Sequence, residues 1–161
     1  MKMTSPVGRT CCFSPHFLPP GHTVDRRALE SRIRQLLEGP LASGPPVTRF
    51  LCGMEKNGDL DAAEILLHLK DTAPFPPRLE CFLPYEEQAA HWDEPTRERY
   101  FSILARCDEV HLLQTRYTPD CRRRRDRCMT RQSDLLLFLT AEDRPPITAP
   151  AGNLLLFAPA G

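Results

Sequence analysis

Strand-length apolar runs, alternating with segments of helical repeat, constrain this chain more than any other feature. The runs are TCCF at 10–13, VTRFLC at 47–52, LECFL at 79–83, EVHLL at 109–113 and DLLLFL at 134–139. Several are apolar nearly throughout, as strands covered on both faces are. Between them, Leu29, Ile33, Leu36 and Leu37 share one helical face. Ala62, Ile65, Leu66 and Leu69 repeat at helical spacing, as do Tyr100, Ile103, Leu104 and Cys107. A fourth helix is expected over 119–132, with a thin apolar face. The alternation predicts an α/β three-layer sandwich with a mostly parallel central sheet of about five strands.

The 161 residues suffice for one domain with a real core, expected over 1–161. The ends, 1–9 and 141–161, are the least determined; AGNLLLF near the C-terminus reads as a last strand or a short helix. No apolar run approaches the roughly 20 residues of a membrane helix, and the N-terminus lacks a signal peptide's apolar core, so a cytoplasmic location is expected. Lys plus Arg equals Asp plus Glu at 21 each, which gives no whole-protein attraction for nucleic acid or an anionic membrane. The arginine run CRRRRDR at 121–127 reads as a solvated helix face. Seven cysteines without a CxxC pair read as reduced core residues, and no metal site is expected.

In an open parallel sheet, ligands bind beyond the carboxyl ends of the strands, where strand order reverses. Ser14 and His16 follow the first run. Gly53, Asn57, Gly58 and Asp59 follow the second, with Glu64 inside the next helix. Tyr85, Gln88 and Trp92 follow the third. Gly53 reads as a residue that leaves the strand at an angle barred to side chains, and Asn57 with Gly58 as a tight turn. Asp59 reads either as a helix N-cap or as a group facing a ribose hydroxyl or base amine. Tyr85 and Trp92 read either as stacking rings or as core packing.

GMEKNGDLDAAEILLHLK, FLPYEEQAAHW, RERYFSIL and RDRCMTRQSDLLL occur in that order. Together they resemble the SLOG superfamily of Rossmann-like proteins, in its YoqJ/YpsA-like branch of bacteria and phages. The resemblance covers about residues 10 to 140. It places Gly53, Met54, Asp59, Ala62, Ala63 and Glu64 on the family's glycine-to-glutamate motif, with Asn57 where an inner glycine is usual. Pro84, Tyr85, Glu86, Gln88 and Trp92 fall on the second motif. Arg125, Met129, Ser133 and Asp134 fall on the third, which adds Ser133 to the expected site. SPHFL at 14–18 and APAG at 149–152 depart from the family's TGHRP and glycine-rich loops.

The resemblance implies binding of a nucleotide or nucleotide-derived ligand, with the protein acting as a sensor or adaptor. The departures keep open a degenerate scaffold working through protein contacts, a homo-oligomer or another protein partner. A hydrolase of N-glycosidic or phosphate bonds is a further alternative, with Asp59 or Glu64 as base. The PGGxGTxxE motif of related, base-releasing SLOG branches is absent, so a non-enzymatic role is expected.

Overall fold

The computed structural model describes residues 8–17, 24–38, 45–56, 58–73, 76–140 and 154–159; for 14–17, 138–140 and 154–159 the description is of the backbone. Asn57 and the segment 141–153 lie outside the described residues. The elements run β1 (Arg9–Phe17), α1 (Arg26–Glu38), β2 (Val47–Cys52), α2 (Asp59–Leu69), β3 (Arg78–Leu83), α3 (Glu94–Arg106), β4 (Glu109–Leu112), α4 (Cys121–Arg131), β5 (Leu135–Thr140) and β6 (Leu154–Pro159).

The strands form one sheet in the order β4-β3-β2-β1-β5-β6, and every neighbouring pair is parallel. The five expected strands are all present. The sixth, β6, takes its register from β5, Leu135 against Leu154 through Thr140 against Pro159, and resolves the ambiguous tail as a strand. A parallel sheet with helices on both faces is a Rossmann-like arrangement.

Side-chain alternation decides which helix packs where. Cys11, Phe13, Phe50, Cys52, Cys81, Leu83, Leu135 and Leu137 point to one face and share a core with α1, α2 and α3. Cys12, Leu51, Phe82 and Leu136 point to the other and meet Met129 of α4. Both faces are therefore covered, which is why the strands read as continuous apolar runs rather than as alternating ones. All seven cysteines are free thiols, five of them buried.

β1 runs past the expected end at Phe13 to Phe17, despite Pro15. It pairs with β2 only as far as Cys12 but follows β5 out to Phe17, with an irregular register between Ser14 and Phe17. A proline lacks the amide that a central ladder needs, and a local irregularity is where a sheet tolerates one. Ser14 and His16 thus belong to the last stretch of β1 rather than to a following loop.

Local chemistry fixes the helix ends. Asp93 precedes α3 and its carboxylate accepts from the Thr96 amide (3.1 Å), with Pro95 in the first turn. Asp93→Ala is expected to lower the urea midpoint with unchanged slope, because the first turn of α3 loses its capping acceptor. At the amino edge of the sheet, the Asp134 amide donates to the Thr10 carbonyl (2.8 Å) and its carboxylate accepts from the Thr10 amide (2.9 Å), which ties β5 to β1. Among the described residues, no helix is long and apolar enough to cross a membrane.

Candidate functional site

β1 has β2 on one side and β5 on the other, so strand order reverses at β1. Because the sheet is wholly parallel, the carboxyl ends of β1, β2 and β3 lie side by side on one rim. The 53–59 loop and the segment carrying Tyr85 leave the sheet there, and Ser14 lies on β1 just beyond its pairing with β2.

The 53–59 loop is held from three sides. Arg125 of α4 is 1% exposed and reaches through the sheet's edge to it. Its Nη1 donates to the Gly53 carbonyl (2.8 Å) and to Glu55 Oε1 (2.9 Å), while its Nε donates to Asp126 Oδ1 (3.0 Å). Arg122 adds a bond from Nε to the same Glu55 oxygen (2.7 Å). From the other side, the buried Gln88 amide nitrogen faces the Gly53 and Met54 carbonyls at 3.4 and 3.3 Å. From within, Asp59 Oδ2 accepts from the Glu55 amide (3.0 Å) and closes the loop on itself.

These bonds hold unusual backbone. Met54 is fully buried with φ 60°, and Gly58 has φ 113°. A positive φ at a non-glycine residue costs of order 1 kcal/mol and persists only when surrounding contacts over-determine it. Gly53 is not among the positive-φ glycines, which corrects the expectation for it. Its small size is what matters: a Cβ there would lie 3.0 Å from the Arg125 guanidinium and 3.2 Å from Met129 Cε. Gly53→Ala is expected to destabilise by about 1–3 kcal/mol, read from chemical denaturation.

Asp59 is the first residue of α2, and Gly58 occupies the cap position without a side-chain bond. The expected N-cap role is therefore replaced by the bond back to Glu55. The carboxyl is 1% exposed and its Oδ1 has no hydrogen-bond partner. Burial raises its pKa from 3.8 to about 7, against the opposing pull of the Glu55 amide and Arg125. Among the described residues, two more buried polar atoms lack partners: Gln88 Oε1 and the Tyr100 hydroxyl. Tyr100 is pushed up to about 12, by burial first and then by neighbouring negative charge that includes Glu55. Unpaired buried polar atoms are few in native proteins, and each needs an explanation.

The other expected residues divide. Tyr85 is half-buried at the rim, with Tyr117 edge-on at 5.3 Å and the Arg122 guanidinium 5.8 Å from its centroid. Trp92 sits edge-on to Tyr100 at 5.3 Å and packs against the main core, which is the packing alternative. Glu64 faces the helix layer: Arg99 donates to it at 2.6 and 3.1 Å and Arg26 at 3.4 Å. Burial raises its pKa, but these arginines outweigh that and hold it below the usual range. Ser133 does not join the site. It precedes β5 at the sheet's amino edge and donates to the Met129 carbonyl (2.8 Å), as a hydroxyl at a helix end does. The side chains of Ser14 and His16, and Asn57 altogether, lie outside the described residues.

Arg125 is the residue that the reading of a solvated arginine face missed. Arg123, Arg124, Arg127 and Arg131 are exposed, as expected, but Cys121, Arg125 and Met129 form the buried stripe of α4. Spacing at i, i+4, i+8 was the available signal, hidden because an arginine occupies its middle. Elsewhere, Glu80, Glu109 and His111 bring possible metal donors within 4.8 Å of one another. Arg49 already donates to both Glu80 oxygens (2.6 and 2.9 Å) and Arg78 lies 3.5 Å from one of them, so the carboxylate is neutralised by guanidinium.

The model of the YspA SLOG family matches residues 20–149. UPF0398 protein BH1768 of Halalkalibacterium halodurans is 32% identical over 127 residues, covering 78% of this chain and 64% of that protein. UPF0398 protein ABC2016 of Shouchella clausii is 28% identical over 120 residues, covering 73% and 61%. The aligned part thus spans less than two thirds of either relative's length. With the match extending over most of its length, the chain belongs to the YspA SLOG family.

Proposed function

We propose that this protein binds a nucleotide or nucleotide-derived ligand on the carboxyl rim of β1, β2 and β3, and acts as a sensor or adaptor. One observation carries the reading: a buried, unpartnered carboxyl oxygen of Asp59 stands at the first turn of α2, beside the strand where the sheet order reverses. A neutral Asp59 donates a hydrogen bond and an ionised one accepts from a ribose hydroxyl or base amine. Gln88 Oε1 offers a second acceptor for the same kind of group. The ring of Tyr85 supplies a stacking face at the rim. Arg122 and Arg125 are paired with Glu55 and Asp126, so phosphate recognition falls to backbone amides near the end of β1 and the start of α2 rather than to guanidinium. Membership of the family supports a nucleotide-related Rossmann-like domain.

The test is a thermal-shift panel of adenosine and guanosine mono- and diphosphates, NAD and ADP-ribose. A ligand at 100 times its Kd adds about 2.7 kcal/mol of stability. At least one member is expected to raise the midpoint, and Tyr85→Ala to weaken that rise. A flat response across the panel contradicts the proposal.

A further inference from the structure

We propose that the free edge of β4 pairs antiparallel with β4 of a second copy of this chain, across a two-fold axis. β4 is the end strand of the sheet, with β3 on one side only. The Leu113 amide bonds to the Leu83 carbonyl, and alternation along the parallel ladder then turns the backbone groups of Glu109 and His111 toward β3 and leaves those of Val110 facing outward. β4 carries no lysine, proline or bulge to guard that edge; its guards are its four-residue length and Glu109.

The same edge collects the exposed apolar surface. Among the described residues, the exposed large hydrophobics are Phe101, Val110, Leu112 and Tyr117, at 44 to 57% exposure. They belong to α3, to β4 and to the loop after β4. Val110 and Leu112 are in register with Cys81 and Leu83, so they point to the face that carries α3 and Phe101. Edge and apolar flank are thus continuous.

Self-pairing fits the sequence of the strand. A register centred on Val110 sets Val110 against the partner's Val110 and Glu109 against the partner's His111, twice by symmetry. The first is a hydrogen-bonded pair, in which the two Val110 residues exchange both backbone bonds and set their apolar side chains beside each other. The second places a carboxylate opposite an imidazole rather than opposite another carboxylate. A two-fold interface repeats each contact, so one complementary strand serves both copies. Four residues of ladder are short, and the apolar flank of Phe101 and Leu112 completes the contact.

The experiment is sedimentation equilibrium of the wild type and of Val110→Lys over a wide concentration range, with thermal unfolding of both. Wild type is expected at twice the chain mass. Val110→Lys is expected at the chain mass, with a folded state retained because the side chain is nearly half exposed. Val110→Cys supplies an independent readout: under mild oxidation it should give a disulfide-linked dimer absent from the wild type. A monomeric wild type, a dimer that persists in folded Val110→Lys, or Val110→Cys that does not cross-link would overturn the proposal. None of these readouts involves a nucleotide, so the outcome is separate from that of the rim site.

Discussion

Arg125→Ala is expected to cost about 3–5 kcal/mol, the range for breaking a buried ion pair by removing one partner. Arg125 is 1% exposed, and its loss leaves the Gly53 carbonyl, Glu55 and Asp126 without the cation they share. It also opens a void against Gly53, where a Cβ would have had no room. The effect should not stay local. The bonds of Arg125 and Gln88 flank Met54 at φ 60°, so the 53–59 loop loses one of its three outer supports, with Arg122 and Gln88 remaining. Arg125→Lys is expected to recover less than half, because an ammonium lacks the guanidinium's fork for partners that lie in different directions. Urea unfolding monitored by circular dichroism reads the stability, and amide exchange of residues 53–59 reads the loop. A cost under about 1 kcal/mol would mean that the arginine is solvated after all.

Asp59→Asn should reverse the usual sign of a core substitution at neutral and alkaline pH. Below pH 3.8 the carboxyl is protonated in both the folded and unfolded states. Between 3.8 and about 7 the unfolded chain releases its proton while the folded one keeps it, so wild-type stability falls as pH rises through that window. Above about 7 both states are ionised and the loss is complete. The full window corresponds to at most about 4 kcal/mol at 1.36 kcal/mol per pKa unit. Asparagine keeps the acceptor for the Glu55 amide and does not ionise. The stability of Asp59→Asn relative to wild type is therefore expected to improve by about 2–4 kcal/mol from pH 4 to pH 8. Parallel pH profiles for the two proteins would contradict a buried, raised carboxyl. If the rim is the binding site, the stabilised variant should also lose ligand affinity, the trade expected where a function depends on a strained group.

How much of this was legible in the sequence follows from which forces are local. Strands buried on both faces announce themselves, as DLLLFL does, because neither face needs a polar residue. The stripes of α1 and α3 were equally plain, and α2, buried nearly all round between the sheet and its two neighbouring helices, still showed its helical repeat. β6 stayed ambiguous because a short apolar run fits helix or strand equally, and only its ladder with β5 decides. The site was harder. The rim residues could be gathered from the order of elements, yet Arg125 looked like its exposed neighbours until Glu55 and the Gly53 carbonyl, 70 or more positions away in sequence, came to it. Gly53 was explained by backbone freedom when space is what it supplies, because sequence distinguishes neither a need for positive φ from a need for space nor which side chain fills that space. Ser133 was carried into the site by its motif, although an α4–β5 connection returns the chain to the sheet's opposite edge.

The most direct measurement is an amide chemical-shift map of isotope-labelled protein titrated with the nucleotide panel. Binding at the rim should move the amides of residues 12–14, 52–60 and 83–88 most, and Asp59→Asn should reduce those shifts. Shifts confined to the exposed arginines of α4, Arg123, Arg124, Arg127 and Arg131, would place any nucleotide on a surface charge patch instead, and no shifts from any member would leave the rim without a ligand of this class.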